Sequence, residues 1–280
     1  MKVTVVCENT VGVPMPRGLI GEHGLSFLIE GETRTLFDTG QGMGVIKNLA
    51  IMGKDVKTLD RIILSHGHFD HVGGLADVLA AKGTSIPVYI HPEAFQKKIA
   101  HVELPGNALE IPIGFGLSRE EYEGKGAQFK DVKGFMEIEK GLSAISEIAR
   151  PAGWKTWDVR LKVKEGDAIK SDPFNDDLSL LLETDSGPVV LLGCAHAGMV
   201  EILQDLSNKS GHREFHAVIG GTHLETAPAD YVEKAIQALS DFKVKVVATS
   251  HCTGYAPANK IATRFKEAFK PAAVGSVFDF

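Results

Sequence analysis

Three imidazoles and a carboxylate fall within six consecutive residues, His66-Gly67-His68-Phe69-Asp70-His71, directly after the apolar run at 61–65. Neutral imidazole and ionised carboxylate are preferred ligands of zinc and its divalent neighbours, so this density points to a metal centre. The bland alternative is a polar loop whose histidines are neutral near pH 7 and sit at a surface. Position favours the metal: the cluster falls where a strand gives way to a helix, and open α/β sheets keep their sites in such loops. A divalent ion there would polarise an electrophile and acidify water toward a pKa of roughly 7, with no Ser or Cys nucleophile required. Asp70 is then the natural proton acceptor.

The elements that must position this cluster are legible as alternating patterns. Short β-rich runs predict strands at 3–7, 25–30, 33–37, 61–64 and 86–90, and a second set at 142–148, 178–183, 189–192, 217–219, 244–249 and 273–278. Apolar residues at helical spacing predict helices over 44–52, 72–81, 199–206, 230–242 and 257–269. Two successive sets of strands with helices interspersed predict an α/β protein: two sheets face to face with helices outside, a four-layer αβ/βα sandwich. One domain over 1–280 is expected. The segment at 94–140, with Pro105, Pro112, many glycines and scattered phenylalanines, breaks the alternation and is expected to be an irregular insertion, a mobile lid over the metal.

Composition narrows the function. The 280 residues are 44% hydrophobic with a mean hydropathy of +0.01, which suits one large globular core. A net charge of −6 argues against a nucleic-acid surface, and the pair Lys97-Lys98 is expected on a solvated face. Three cysteines, Cys7, Cys194 and Cys252, fit a reducing compartment rather than a disulfide framework. No apolar run approaches the ~20 residues of a membrane span, and no secretory segment is evident, so a cytoplasmic protein without a membrane partner is expected. Oligomeric state is left open.

Residues 65–74, SHGHFDHVGG, resemble the signature of the metallo-β-lactamase superfamily, and Asp38 in LFDTG and His251 in SHCTG match two further family segments. The resemblance implies the sandwich fold and a divalent cofactor, zinc first with iron or manganese as alternatives, as one or two ions. It implies His66 and His68 on one metal, Asp70 and His71 on a second, and His251 as the last ligand. The chain departs from the family in its second half: the register of the usual GHTxG holds Asn175-Asp176-Asp177 and no histidine. His196, in Gly193–Gly198, is the substitute imidazole, and Cys194 stands where the bridging Asp or Cys would be. GCAHAG, GGTHL and HCTG are similar to a subgroup likened to the methanopterin-pathway enzyme that condenses ribofuranosylaminobenzene phosphate with a dihydropterin.

Other positions carry competing readings. Cys194 is a ligand or a small apolar filler. Cys252, one residue past His251, is expected to point away into the core if the segment is extended. Asp38 is expected to orient the ligand loop by hydrogen bonding. His223, His23 and Asp177 are candidates for contacting substrate, against turn or surface roles. The expected protein is a metal-dependent hydrolase or transferase acting on a small, phosphorylated or pterin-like molecule. The alternatives are the condensing enzyme itself and a metal-binding protein without efficient hydrolysis.

Overall fold

The computed structural model describes residues 1–280. The first half supplies β1 (Lys2–Cys7), β2 (Ser26–Glu30), β3 (Arg34–Phe37), β4 (Arg61–Ile63) and β5 (Ile86–Ile90), with helices α1 (Val45–Ile51), α2 (Phe69–Val72) and α3 (Leu75–Lys82). Then come β6 (Lys97–Leu104), β7 (Asn107–Pro112), α4 (Arg119–Gly124), β8 (Ala127–Asp131), β9 (Phe135–Glu139) and β10 (Leu142–Ile145). The remainder is β11 (Leu161–Glu165), β12 (Ala168–Ser171), β13 (Ser179–Leu182), β14 (Val189–Leu192), α5 (Met199–Ser210), β15 (Ala217–Gly221), α6 (Ala229–Asp241), β16 (Val246–Ser250), α7 (Tyr255–Phe265) and β17 (Val277–Asp279).

Two large sheets form, in the orders β17-β1-β2-β3-β4-β5-β8 and β16-β15-β14-β13-β10-β9. The inner strands β13, β14 and β15 bury both faces, which is why they read as continuous runs rather than alternating ones. Phe27, Phe37, Ile63, Leu180, Leu182, Leu191 and Ile219 meet in the core between the sheets. Their chain neighbours Leu28, Leu36, Ile62 and Leu64 face outward onto Val45 and Leu49 of α1 and Leu75, Val78 and Leu79 of α3. On the far side, Leu181, Val190 and Leu192 meet α5, α6 and α7 through Ile202, Leu206, Ile236, Leu239 and Ile261. Each such side chain contributes about 1.5–3 kcal/mol by leaving water. The expected αβ/βα sandwich is the observed architecture.

The segment at 94–140 is not an irregular excursion. β8 completes the first sheet beside β5 and β9 edges the second beside β10. Only the hairpin β6–β7 leaves the sandwich, and it pairs with β11 and β12 in a third sheet of order β12-β11-β6-β7. The extra layer therefore draws on two stretches of chain, and its hydrogen-bond ladder supplies the regularity that sequence periodicity lacks. Lys98 corrects a second expectation: it is 1% exposed, its Nζ 2.7 Å from Asp172 and 3.0 Å from Asp176. Strand alternation sends Lys97 outward and Lys98 inward, and two carboxylates compensate the buried charge.

Candidate metal centre

The centre lies at the C-terminal ends of parallel strands from both sheets. In the first sheet, β3, β4 and β5 run parallel; Asp38 follows β3, and the His66–His71 loop follows β4. In the second, β14, β15 and β16 run parallel and deliver Cys194 and His196, His223, and His251. Four of the eight non-glycine residues with left-handed backbone, Asp38, Ala195, His223 and His251, stand here. Such strain persists only where surrounding structure imposes it, and it clusters at functional sites.

Asp38, wholly buried, holds the first loop. Its Oδ1 accepts the Ser65 N–H and its Oδ2 accepts the Ser65 hydroxyl, both at 2.7 Å. The same Oδ2 accepts His71 Nδ1–H at 2.7 Å. Because the Ser65 proton goes to Asp38, its Oγ receives the Nδ1–H of His66 at 2.9 Å. Both imidazoles are thereby set with Nε2 as the inward nitrogen, the orientation expected of a carboxylate that fixes metal-binding histidines. Gly67 lies so close to the backbone of Ala94 that a Cβ would come within 2.0 Å of its carbonyl oxygen, so the HxH spacing tolerates no side chain there.

Two triangles of donors result. His66, His68 and His196 bring one nitrogen each within 4.8 Å of one another. The Nε2 atoms of His66 and His68 and both ring nitrogens of His196 are buried without a hydrogen-bond partner. Orphaned lone pairs converging in one pocket are what a metal would satisfy. Burial holds the His66 and His196 imidazoles well below their ordinary pKa and lowers His68 to about 3, so all three are neutral donors at pH 7.

The second triangle joins Asp70, His71 and His251. His251 Nε2 is 3.2 Å from Asp70 Oδ2 and 3.3 Å from His71 Nε2, while His71 Nε2 is 4.0 Å from Asp70 Oδ2. A tetrahedral ion with nitrogen and oxygen ligands at ~2.0–2.1 Å has edges of roughly 3.3 Å, which the two His251 edges match and the 4.0 Å His71–Asp70 edge exceeds. His251 is held from behind, its N–H bonded to Glu8 Oε1 at 2.8 Å and its Nδ1 to Asn9 Oδ1 at 3.1 Å. Burial would raise Asp70, but His71 and hydrogen bonds from His23 and His251 hold it well below the carboxylate range. Burial works against the His71 imidazolium too, yet Asp38 and Asp70 push it up to about 9.

The other candidates fall around these triangles. Cys194 Sγ lies within 4.8 Å of nitrogens of His66 and His71, between the two triangles, and burial raises its thiol well above the usual range. His23 Nε2 is 3.2 Å from Asp70 Oδ2 at the exposed mouth. His223 lies beside His196 with ring centroids 4.2 Å apart and planes tilted by 55°, and its Nε2 is 3.6 Å from Asp158. Asp177 is buried rather than on a surface turn; its Oδ2 accepts the Ala197 N–H at 2.7 Å, and burial raises it to about 7. Cys252 departs from expectation. The backbone at His251–Thr253 is a 3-10 turn, not extended, and it brings Cys252 into the cleft.

Both triangles open into a cleft of about 370 Å³. Phe69, the hairpin residues Ala100, Val102 and Ile111, and Ile113 just past the hairpin give it apolar lining, and Arg160 and His223 give it polar lining. Sequence reasoning did not single out Glu8, Asn9, Asp158 or Arg160, and it placed Lys98 at the surface.

A sandwich of this topology with a histidine- and aspartate-rich cluster at its strand ends defines a metallo-β-lactamase-type scaffold. The chain belongs to the metallo-β-lactamase superfamily, whose sequence pattern matches residues 19–251. It is 30% identical over 289 residues, spanning 100% of this chain and 97% of the relative, to the 7,8-dihydropterin-6-methyl-4-(beta-D-ribofuranosyl)-aminobenzene-5'-phosphate synthase of Methanocaldococcus jannaschii. The crystal structure of Tm1679, a metal-dependent hydrolase of the β-lactamase superfamily, is similar at a TM-score of 0.85 and 26% identity, covering 100% of this chain and 99% of that one. Zn(2+)-bound PqqB from Methylobacterium extorquens shares the fold at a TM-score of 0.58 and 13% identity, each chain covered in full. No helix is long and apolar enough to cross a membrane.

Proposed function

We propose that this chain is a metal-dependent enzyme that displaces a leaving group on a small, anionic, ring-bearing substrate. The carrying observation is that the His66–His68–His196 triangle, and beside it Asp70 and His251 with both His71 and His23 within reach, open through His68, His196, Asp70 and His251 into one cleft. One or two divalent ions, zinc foremost with iron or manganese as alternatives, would supply Lewis acidity there. The chain's own residues do the rest. Asp70, kept ionised, is both donor and proton acceptor, and His23 at the exposed mouth passes the proton to solvent. Phe69, Val102 and Ile111 exclude water and offer a flat apolar wall to a ring. Arg160 and His223 flank Asp158 and present two cationic donors when His223 is protonated; burial disfavours that form, but Asp158 and Cys252 raise His223 to about 9. That pair suits a phosphate.

A second reading is supported by the full-length likeness to the M. jannaschii synthase: condensation of an aromatic amine with a phosphate-activated pterin. Metal-loaded protein assayed on phosphate esters, lactones and thioesters, and in parallel on a dihydropterin methyl phosphate with an aminobenzene riboside phosphate, separates the two. Turnover of the first panel supports hydrolysis, and turnover of the second supports condensation. Stoichiometric metal with no turnover of either overturns the enzyme reading and leaves a metal-binding protein.

A further inference from the structure

Cys194 and Cys252 are 58 residues apart in sequence, yet their sulfurs lie 2.9 Å apart on the wall of the cleft. Two thiolates on one tetrahedral zinc stand about 3.8 Å apart at Zn–S of ~2.3 Å, so these are closer than a shared ion would hold them. A disulfide at ~2.05 Å requires them to close by under about 1 Å. The approach is built in: a Cβ at Gly221, on the strand between, would fall 2.9 Å from Cys252 Sγ and 3.3 Å from the Cys194 Cα, so glycine leaves the sulfur its seat. The backbone N–H of His223 donates to Cys252 Sγ at 3.2 Å, and Cys252 is the more exposed of the two.

We propose that Cys194 and Cys252 form a redox-modification site, a dithiol that hydrogen peroxide converts reversibly into an intramolecular disulfide. The accessible Cys252 sulfur attacks the peroxide; an S–O bond forms, the O–O bond breaks, and one water leaves after protonation. Cys194 then attacks the Cys252 sulfenic sulfur; the S–S bond forms, the S–O bond breaks, and the second water leaves. Two thiols lose two electrons and two protons in total, and the peroxide is reduced to two waters. A reducing compartment keeps the pair open, and oxidation withdraws the Cys194 donor from beside His66 and His71.

The test is thiol counting and peptide mapping of the folded, full-length protein treated with hydrogen peroxide and then denatured. The expected result is one free thiol, Cys7, a mass loss of about 2 Da, a linked Cys194–Cys252 peptide, and return to three thiols with dithiothreitol. Cys194→Ser should instead leave Cys252 carrying oxygen. Three thiols surviving peroxide, or wild-type Cys252 oxidised without a link to Cys194, overturns the proposal. So does an extra bound zinc that protects both thiols and is lost in Cys252→Ser.

Discussion

Lys98 and Asp176 lie 3.0 Å apart, each 1% exposed, and the other oxygen of that carboxylate accepts the Gly67 N–H at 3.0 Å. The third sheet is thus fastened to the His66–His71 loop through a buried ion pair, with Asp172 as the second anion on Lys98. Lys98→Met should leave two carboxylates buried without a cation, which costs about 3–5 kcal/mol. Urea unfolding of the metal-free protein reads this as a lowered midpoint at unchanged slope. Adding Asp172→Asn and Asp176→Asn should recover part of the loss. A midpoint unmoved by the single substitution would show that the pair does not fasten the layers.

Asp38 offers a cleaner separation of ligand from support, because it touches His71 and Ser65 but donates to neither triangle. Asparagine tolerates the left-handed backbone seen at this position, so Asp38→Asn spares the turn. It removes the charge that fixes the His71 tautomer and frees the Ser65 hydroxyl that orients His66. Metal affinity should fall about 10–100-fold with the fold retained. Chelator competition measures it, and wild-type affinity in the variant would refute the orienting role.

How far these features were legible in sequence follows from their range. His66, His68, Asp70 and His71 are local, and likeness to the family's segments also pointed to Asp38, His196 and His251. Lys98 was misplaced because its partners are 74 and 78 residues away, and a lysine without them belongs at a surface. β6 and β7 went unseen because every residue of β7 is exposed, so no buried face imprints a period on it. Cys252 was misjudged by a backbone assumption: alternation holds for extended chain, and a 3-10 turn redirects the side chain.

The two triangles should respond differently to pH. His71 is raised to about 9, so from pH 6.5 to 8.5 it carries a proton that an entering ion must displace. Counting His71 alone, affinity at the Asp70–His71–His251 triangle should fall about tenfold per pH unit on acidification. The same shift makes its stabilisation of the metal-free fold complete below the unfolded pKa of ~6.5 and lost as pH rises through 9. His68, lowered to about 3, has no proton to lose over this range. Zinc titration of a His196→Ala chain from pH 6.5 to 8.5 isolates the second triangle, and a flat profile would contradict the assignment.

His196 rather than Cys194 should prove to be the third imidazole-class donor of the first triangle. Its ring centroid lies 4.8 Å from those of both His66 and His68, and Phe174 stacks against it at 4.7 Å and 7°. Neither ring nitrogen has another partner, so the ring is held by packing alone and its lone pair is free for an ion. Cys194 sits instead between the triangles, near His66 and His71, where losing the sulfur leaves both sets of three donors intact. His196→Ala should therefore abolish one metal equivalent and turnover together, with the fold retained because the ring makes packing contacts and no hydrogen bond. Cys194→Ser should keep at least one equivalent. Metal analysis after gel filtration decides between them, and a serine variant without metal beside a fully loaded alanine variant would reverse the assignment.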